Sequence, residues 1–346
     1  MEENKRVVEC LKRLAESLKD LPQKEDPPLI SHWRNNPPES LTTAWQVLKQ
    51  GGELVRSTST KYTLVTKIDV EEGSKLAKDL LKGCEFVGTG ALVIYDNSVG
   101  CSRSMRALVK QSSRAVIHSC LNLLQMFLDN TDVFQEGNNN NNSMTPAQKT
   151  GVIWDACDKL DKLPLNNRNA MRRDLLTWLV DCQETYEEFS ELLQHSTEGG
   201  DGNIMSNGDE CYTSKEEPVA QSSLLLVKCS RGSINIVLKA CECVGSSLTS
   251  DNSNDSLLWI QKLHNAARCV GIGMTDLGTL LYPPLGDNIQ EEIQRQSKSI
   301  VELHDLILDK LPPVAFPEDL LDTSRKIRAA TVKRADEALD GIKKMT

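Results

Sequence analysis

Between Asn167 and His195 the apolar side chains of Leu175, Leu179, Cys182, Tyr186, Phe189 and Leu193 recur at alternating steps of four and three. That spacing lines them up on one stripe of an α-helix, and a helix with such a stripe has to bury it against other elements. Arg172, Asp181, Glu184, Glu187, Glu188 and Glu191 fall mostly off the stripe, as on the wet side of a bundle helix.

The same period runs through most of the chain. Val7, Leu11, Leu14, Leu18 and Leu21 predict a first helix over about 3–21, and Leu41, Trp45, Leu48, Val55, Tyr62 and Val65 a second over about 39–67. The Gly51-Gly52 pair weakens the middle of that second helix by about 1 kcal/mol per glycine, so a kink is expected there. Leu76, Leu80, Cys84, Val87, Ala91 and Ile94 mark a third helix (71–96), and Met105, Val109, Ser112, Val116, Cys120, Leu123 and Phe127 a fourth (101–129). Short connections make these four pack up and down as a first bundle. Thr145-Pro146 is a cap and first-turn pair that opens a helix running to Leu163, where Pro164 stops it ahead of the central helix. Further stripes follow: Leu226 to Cys243, Leu263 to Leu281, and the heptad-spaced Ile289, Ile293, Ile300, Leu303 and Ile307. A last helix, capped at Thr323 or Ser324, is expected to bury Ile327, Ala335, Ala338, Ile342 and Met345.

The fold class read from this is all-α: two packed antiparallel bundles of long amphipathic helices, similar in architecture to vinculin and talin. A chain of 346 residues exceeds what one core usually serves. The segment with five consecutive asparagines, Asn138 to Asn142, cannot build an apolar face. Expected boundaries are therefore an N-terminal bundle over 1–135, an Asn-rich linker over 136–144, and a C-terminal bundle over 145–346. Within the latter, the Gly-, Ser- and acid-rich stretch 196–221 reads as a flexible acidic insert. The segment 21–40, rich in proline, reads as a loop or extended strap.

Charge and cysteine usage narrow the function classes. With 49 acidic against 40 basic residues the net charge is -9, which makes phosphate-backbone binding unattractive. The basic residues Lys5, Arg6, Lys12 and Arg13 of the first helix read as a solvated face rather than a nucleic-acid patch. The 11 cysteines are spread over apolar stripes and behave as small hydrophobes in a reducing compartment. No apolar run reaches the roughly 18 residues of a membrane span, and MEENKRVVECLKRL is unlike a signal peptide. A soluble chain inside the cell is expected, with a protein as its partner, no direct nucleic acid and no membrane.

The search for chemistry is nearly empty. His32, His118, His195, His264 and His304 are far apart, and none sits in a metal-ligand spacing. Cys241 and Cys243 point about 200° apart on a helix and cannot share an ion unaided. Gly88-Thr89-Gly90 lacks the third glycine and the preceding strand of a dinucleotide loop, so small residues permitting close helix packing are the better account. Asp155, Asp158 and Asp161, interleaved with Lys159 and Lys162, read as a solvated face. No catalysis, no metal and no cofactor are expected.

Two blocks taken together resemble the cyclin-D-interacting protein family. One is GVIWDACDKLDKLPLNNRNAMRRDLLTWLVDCQETYEEFSELL, with Trp154 and Cys157 before a proline break, an asparagine turn and a long helix ending in acids. The other is DLGTLLYPPLGDNIQEEIQRQSKSIVELHDLIL, in which Tyr282-Pro283-Pro284 separates two helices. The helix around LKGCEFVGTGALVIYD and the next one are similar to the family's first bundle more loosely. The resemblance spans most of 39–312 and implies an all-helical, non-enzymatic protein. It implies partners of the kind animal members bind, D-type cyclins and helix-loop-helix transcription factors, with restraint of retinoblastoma phosphorylation and of E2F-driven transcription. It also implies a location in cytoplasm and nucleus.

Interface energy concentrates on large aromatics, so Trp154, Trp178 and Trp259 are the candidate partner-binding anchors, and the second bundle is the expected binding half. Each reads first as a core residue and only second as an anchor. The competing expectation, from another class, is a cytoskeletal or adhesion scaffold of vinculin- or talin-like bundles.

Overall fold

A computed structural model describes residues 2–21, 27, 29–34, 37–66, 68–129, 144–198, 211–248, 253–308 and 313–345. Among them the chain is all-α, with no strand. Ten helices carry it: α1 (Glu2–Lys19), α2 (Glu39–Val65), α3 (Val70–Tyr95), α4 (Arg103–Asp129), α5 (Pro146–Asp161), α6 (Asn167–Glu198), α7 (Glu217–Ser246), α8 (Ser253–Leu280), α9 (Ile289–Leu308) and α10 (Glu318–Met345). The chain divides into two compact units, Met1–Ala170 and Met171–Thr346.

In the first unit α2, α3, α4 and α5 form the four sides of an antiparallel bundle, and α1 lies along the seam between α3 and α4. The expected stripes supply its core: Leu11 and Leu18 of α1, Leu41 and Val55 of α2, Leu80 and Cys84 of α3, and Val109, Val116 and Leu123 of α4 have no accessible surface. Burying each such Leu or Val contributes about 1.5–3 kcal/mol before chain entropy is subtracted.

The α2–α3 pair is the tightest contact. A Cβ on Gly51 would stand 2.7 Å from the Gly83 carbonyl oxygen, and one on Gly90 would stand 2.6 Å from Leu48 Cγ and 2.8 Å from the Ala44 carbonyl. Gly90 thus serves close packing, as the sequence suggests. At Gly51-Gly52, where a kink is expected, α2 continues without a break as one helix from Glu39 to Val65. What glycine loses in helix propensity is offset here by the near approach of a neighbouring backbone.

Helix α5, expected in the C-terminal bundle, packs instead in the first unit. Its capping box is formed, with Gln148 N donating to Thr145 Oγ1 at 3.3 Å and Thr145 N donating to Gln148 Oε1 at 2.8 Å. Its buried face, Thr150, Ile153, Cys157 and Leu160, supplies the fourth side that α2 and α4 require once α1 is committed to the other seam. Thr63 and Thr150 share a buried hydrogen bond of 2.6 Å, and Arg56 pairs with Asp158 and with Asp161, the latter at 3.1 Å. The aspartates of α5 are therefore partly tied down rather than simply solvated. The chain divides between Ala170 and Met171, not at the expected linker, whose asparagines lie outside the described residues.

In the second unit α7, α8, α9 and α10 make a four-sided antiparallel bundle. Within it α6 runs against α7 and beside α8. Arg172 approaches Glu242 at 3.7 Å, Lys228 Nζ sits 5.8 Å above the Tyr186 ring, and the Phe189 and Tyr282 rings meet at 4.8 Å. The heptad stripe of α9 is buried throughout.

Two boundaries shift from expectation. Helix α7 begins at Glu217, so the end of the presumed insert 196–221 is ordered, and residues 199–210 lie outside the described residues. Tyr212 is buried and donates to the Leu281 carbonyl, while Glu216 accepts from Thr213 N at 2.9 Å and Leu285 N at 3.0 Å. Helix α10 begins at Glu318, and Ser324 is buried inside it rather than capping it.

The reason Ser324 is buried is His304, which has no accessible surface. Its Nε2 is 2.9 Å from Ser233 Oγ and its Nδ1 2.6 Å from Ser324 Oγ. Ser233 donates its own hydrogen to the Cys229 carbonyl at 2.8 Å, so its oxygen accepts from His304 Nε2–H and Nδ1 accepts from Ser324. The imidazole is held neutral, and burial lowers its pKa to about 4.

Two outcomes follow for stability. Gly51→Val should lower the unfolding free energy by about 1–3 kcal/mol in urea titration, because the Gly83 backbone cannot retreat from the new side chain. His304 is protonated in the unfolded chain below its ordinary pKa of 6.5 but in the folded chain only near 4. Its contribution is complete above pH 6.5 and is lost as pH falls towards 4, by up to about 3 kcal/mol. Urea titrations over that range should show a shallower pH slope for His304→Gln than for the wild-type chain.

Candidate partner-binding groove

Helix α6 carries more apolar surface than its bundle covers. Its stripe residues Leu175, Cys182 and Phe189 are buried in the second unit, but Leu176 and Val180, one position on from Leu175 and Leu179, are 44% and 53% exposed. Together with Leu179 they line a groove of about 960 Å³ between α6 and α7. Its walls carry opposite charge: Glu184 and Glu187 with Gln183 on α6, and Lys228 and Arg231 with Asn235 on α7.

Because α6 and α7 are antiparallel, the charges gather at one end of the groove and the apolar side chains at the other. Leu176 and Val180 stand at i and i+4, the spacing with which one helix presents an apolar edge to another. An open cleft with an apolar stretch and a few charged groups at its rim suits a protein segment. A second hollow, about 450 Å³, lies between α2 and α3 in the first unit and is lined by Ala44, Val47, Gly90 and Val93.

The three tryptophans are not brought together. Trp154 is 45% exposed on the outer face of α5. Trp178 is half-buried in the second unit, beside the His264 ring at 5.5 Å, and its indole fills the space a side chain on Gly271 would need. Trp259 is half-buried with its ring 5.6 Å from that of Phe316. Trp154 alone of the three offers a broad aromatic surface to solvent. The groove residues Leu176 and Val180 were readable only as an apolar pair interrupting the polar face of α6; the stripe itself hides them.

Among the described residues no group of three or more His, Cys, Asp or Glu side chains is placed to hold a metal ion. Burial pushes the thiols of Cys101, Cys157, Cys182 and Cys241 up to about 12, so at neutral pH they stay protonated and pack as apolar groups. No helix among the described residues is long and apolar enough to cross a membrane.

Residues 47–195 match the family model described as Grap2 and cyclin-D-interacting, N-terminal. The match covers less than half of the chain and takes in α3, α4 and α5 whole. It takes in the Trp154–Cys157 block and α6 with Leu176 and Val180, so the family resemblance read from those residues is borne out. Two relatives extend the likeness. A Xenopus laevis protein named Cyclin-D1-binding protein 1 homolog is 24% identical over 258 residues, covering 70% of this chain and 72% of its own. A Danio rerio protein of the same name is 23% identical over 259 residues, covering 71% of each.

Substitution at the exposed groove positions should leave the fold intact. Leu176→Asp and Val180→Asp are each expected to change the unfolding free energy by no more than about 0.5 kcal/mol. Leu175→Ala on the adjacent buried stripe should cost about 2–5 kcal/mol. Parallel thermal and urea titrations of the three variants check the contrast.

Proposed function

We propose that this protein is a non-enzymatic binding module that recognises a D-type cyclin, with helix-loop-helix transcription factors as a second class of partner. It acts in this reading as a regulator of the cell cycle and transcription in nucleus and cytoplasm. The observation that carries the reading is the groove on a helix inside the family-matched stretch. Leu176 and Val180 are exposed there although α6 already buries Leu175, Cys182 and Phe189 in its unit. The names of the two relatives support the choice of a D-type cyclin.

In mechanism, an amphipathic helix of the partner sets its apolar face over Leu176, Leu179 and Val180, and the charged end fixes its direction. Lys228 and Arg231 favour acidic residues on one flank of that helix, and Glu184 and Glu187 favour basic ones on the other. Trp154, exposed on α5, is a further anchor, whereas Trp178 and Trp259 contribute by holding the second unit together.

Calorimetric titration of the full chain with a purified D-type cyclin from the same organism tests this. Replacing both Leu176 and Val180 by Glu should weaken binding by about 10–100-fold, since apolar anchors at the centre of an interface carry most of its energy. Unchanged affinity in the double variant sinks the groove as the contact surface. Absence of binding by the wild-type chain sinks the cyclin reading itself.

A further inference from the structure

Arg106, in the first unit, is among the largest fully buried side chains of the described residues, with 2% of its surface accessible. Nothing among the described residues accepts a hydrogen bond from its Nε, Nη1 or Nη2. Elsewhere guanidinium groups are neutralised: Arg56 by Asp158 and Asp161, Arg295 by Asp276 and Glu292, Arg328 by Asp305. A guanidinium cannot shed its proton, and an unpaired buried charge is among the least favourable arrangements a fold can contain.

Arg106 lies close enough to Tyr95 and Cys101 to act on both through its charge. The strap over residues 29–34 is fastened beside the start of α4. Ser31 N donates to the Gly100 carbonyl at 3.0 Å, and Asn167 Nδ2 donates to the Ser31 carbonyl at 2.6 Å and the Gly100 carbonyl at 2.9 Å. Asn167 Oδ1 in turn accepts from Ser102 N at 2.7 Å. On this strap Trp33 Nε1 and His32 Nδ1 are buried without a partner, and His32 Nε2 lies 3.7 Å from Cys101 Sγ. His32 is also held at φ +39°, the left-handed region that a non-glycine residue adopts under constraint. Arg106 is in the opening turns of α4, where the helix dipole is positive as well. Burial raises the pKa of both nearby acids, Tyr95 and Cys101, the latter to about 12, so neither supplies a negative charge at neutral pH.

We propose that this corner of the first unit is a binding site for a small oxyanion of the carboxylate or phosphate type. The planar fork of Arg106 takes two of its oxygens, and Trp33 Nε1 and His32 Nδ1 are the further donors. Since the Arg106 nitrogens have no access to solvent, the ligand enters as the strap lifts from its Ser31 and Asn167 tethers. The site is separate from the α6–α7 groove and stands whether or not that groove binds a cyclin.

Thermal unfolding and calorimetric titration of the full chain with inorganic phosphate and with citrate, against sodium chloride at matched ionic strength, test it. Phosphate or citrate should raise the wild-type midpoint by about 2–4 °C beyond the chloride control and should leave Arg106→Met at its control value. Whichever anion acts identifies the chemistry, phosphate or carboxylate. Without added anion, Arg106→Met should unfold no lower than wild type, since it removes an uncompensated buried charge. Should Arg106→Met fail to fold, Arg106→Lys and Trp33→Phe replace it. Lysine keeps the charge but loses the fork, and each variant should cut the anion-induced shift to about half or less. Equal shifts in wild type and variants mean an adventitious ion only and overturn the proposal. It is also overturned if wild type ignores both anions while Arg106→Met is destabilised, because the guanidinium then has its partner within the chain.

Discussion

The structure depends on one constraint: each long helix carries an apolar stripe that water will not tolerate, and only another helix can cover it. Helices α2 and α3 satisfy it most fully, approaching until Gly51 and Gly83 leave no room for a side chain between backbones. This contact fixes the first edge of a bundle, and the remaining helices take places that close its other sides. The second unit repeats the solution with α7, α8, α9 and α10 as its four sides.

Both units add a fifth helix to a four-sided core, and the added helix has a different standing in each. Helix α1 lies on the α3–α4 seam and buries its own stripe there. Helix α6 also spends a stripe on its unit, yet has apolar side chains to spare. Those surplus residues, Leu176 and Val180, create the groove, and the opposed charges of α6 and α7 give that groove a direction. The α6 wall of this groove lies inside the stretch that matches the family model.

Polar groups inside the units are handled in two ways. In the second unit His304, Ser233 and Ser324 satisfy one another, as do Gln296, Ser230 and the Val270 carbonyl on one side of the glutamine amide. Such a seam fixes the register of α7, α9 and α10 more narrowly than leucines could, because sliding by one turn leaves buried polar atoms unpaired. In the first unit Arg106 stands apart as a permanent charge buried with no acceptor among the described residues.

The three-and-four spacing of apolar residues determined the helices, their buried faces and the all-α class, because a stripe is a local property of consecutive turns. Leu175, Cys182 and Phe189, or Ile293, Ile300 and Ile307, announce what they will bury without reference to any neighbour. Which helix covers which stripe is not local. Helix α5 was assigned to the second bundle by its place after the asparagines, yet it joins the first because α2 and α4 lacked a fourth side. Ser324 looked like a cap and became an internal partner of His304 for the same reason. The groove was half legible, as Leu176 and Val180 on a polar face, but its second wall, Lys228 and Arg231, comes from a helix more than forty positions onward. Only packing in three dimensions sets those side chains opposite one another, since the chain period says which way a residue points and nothing of what it meets.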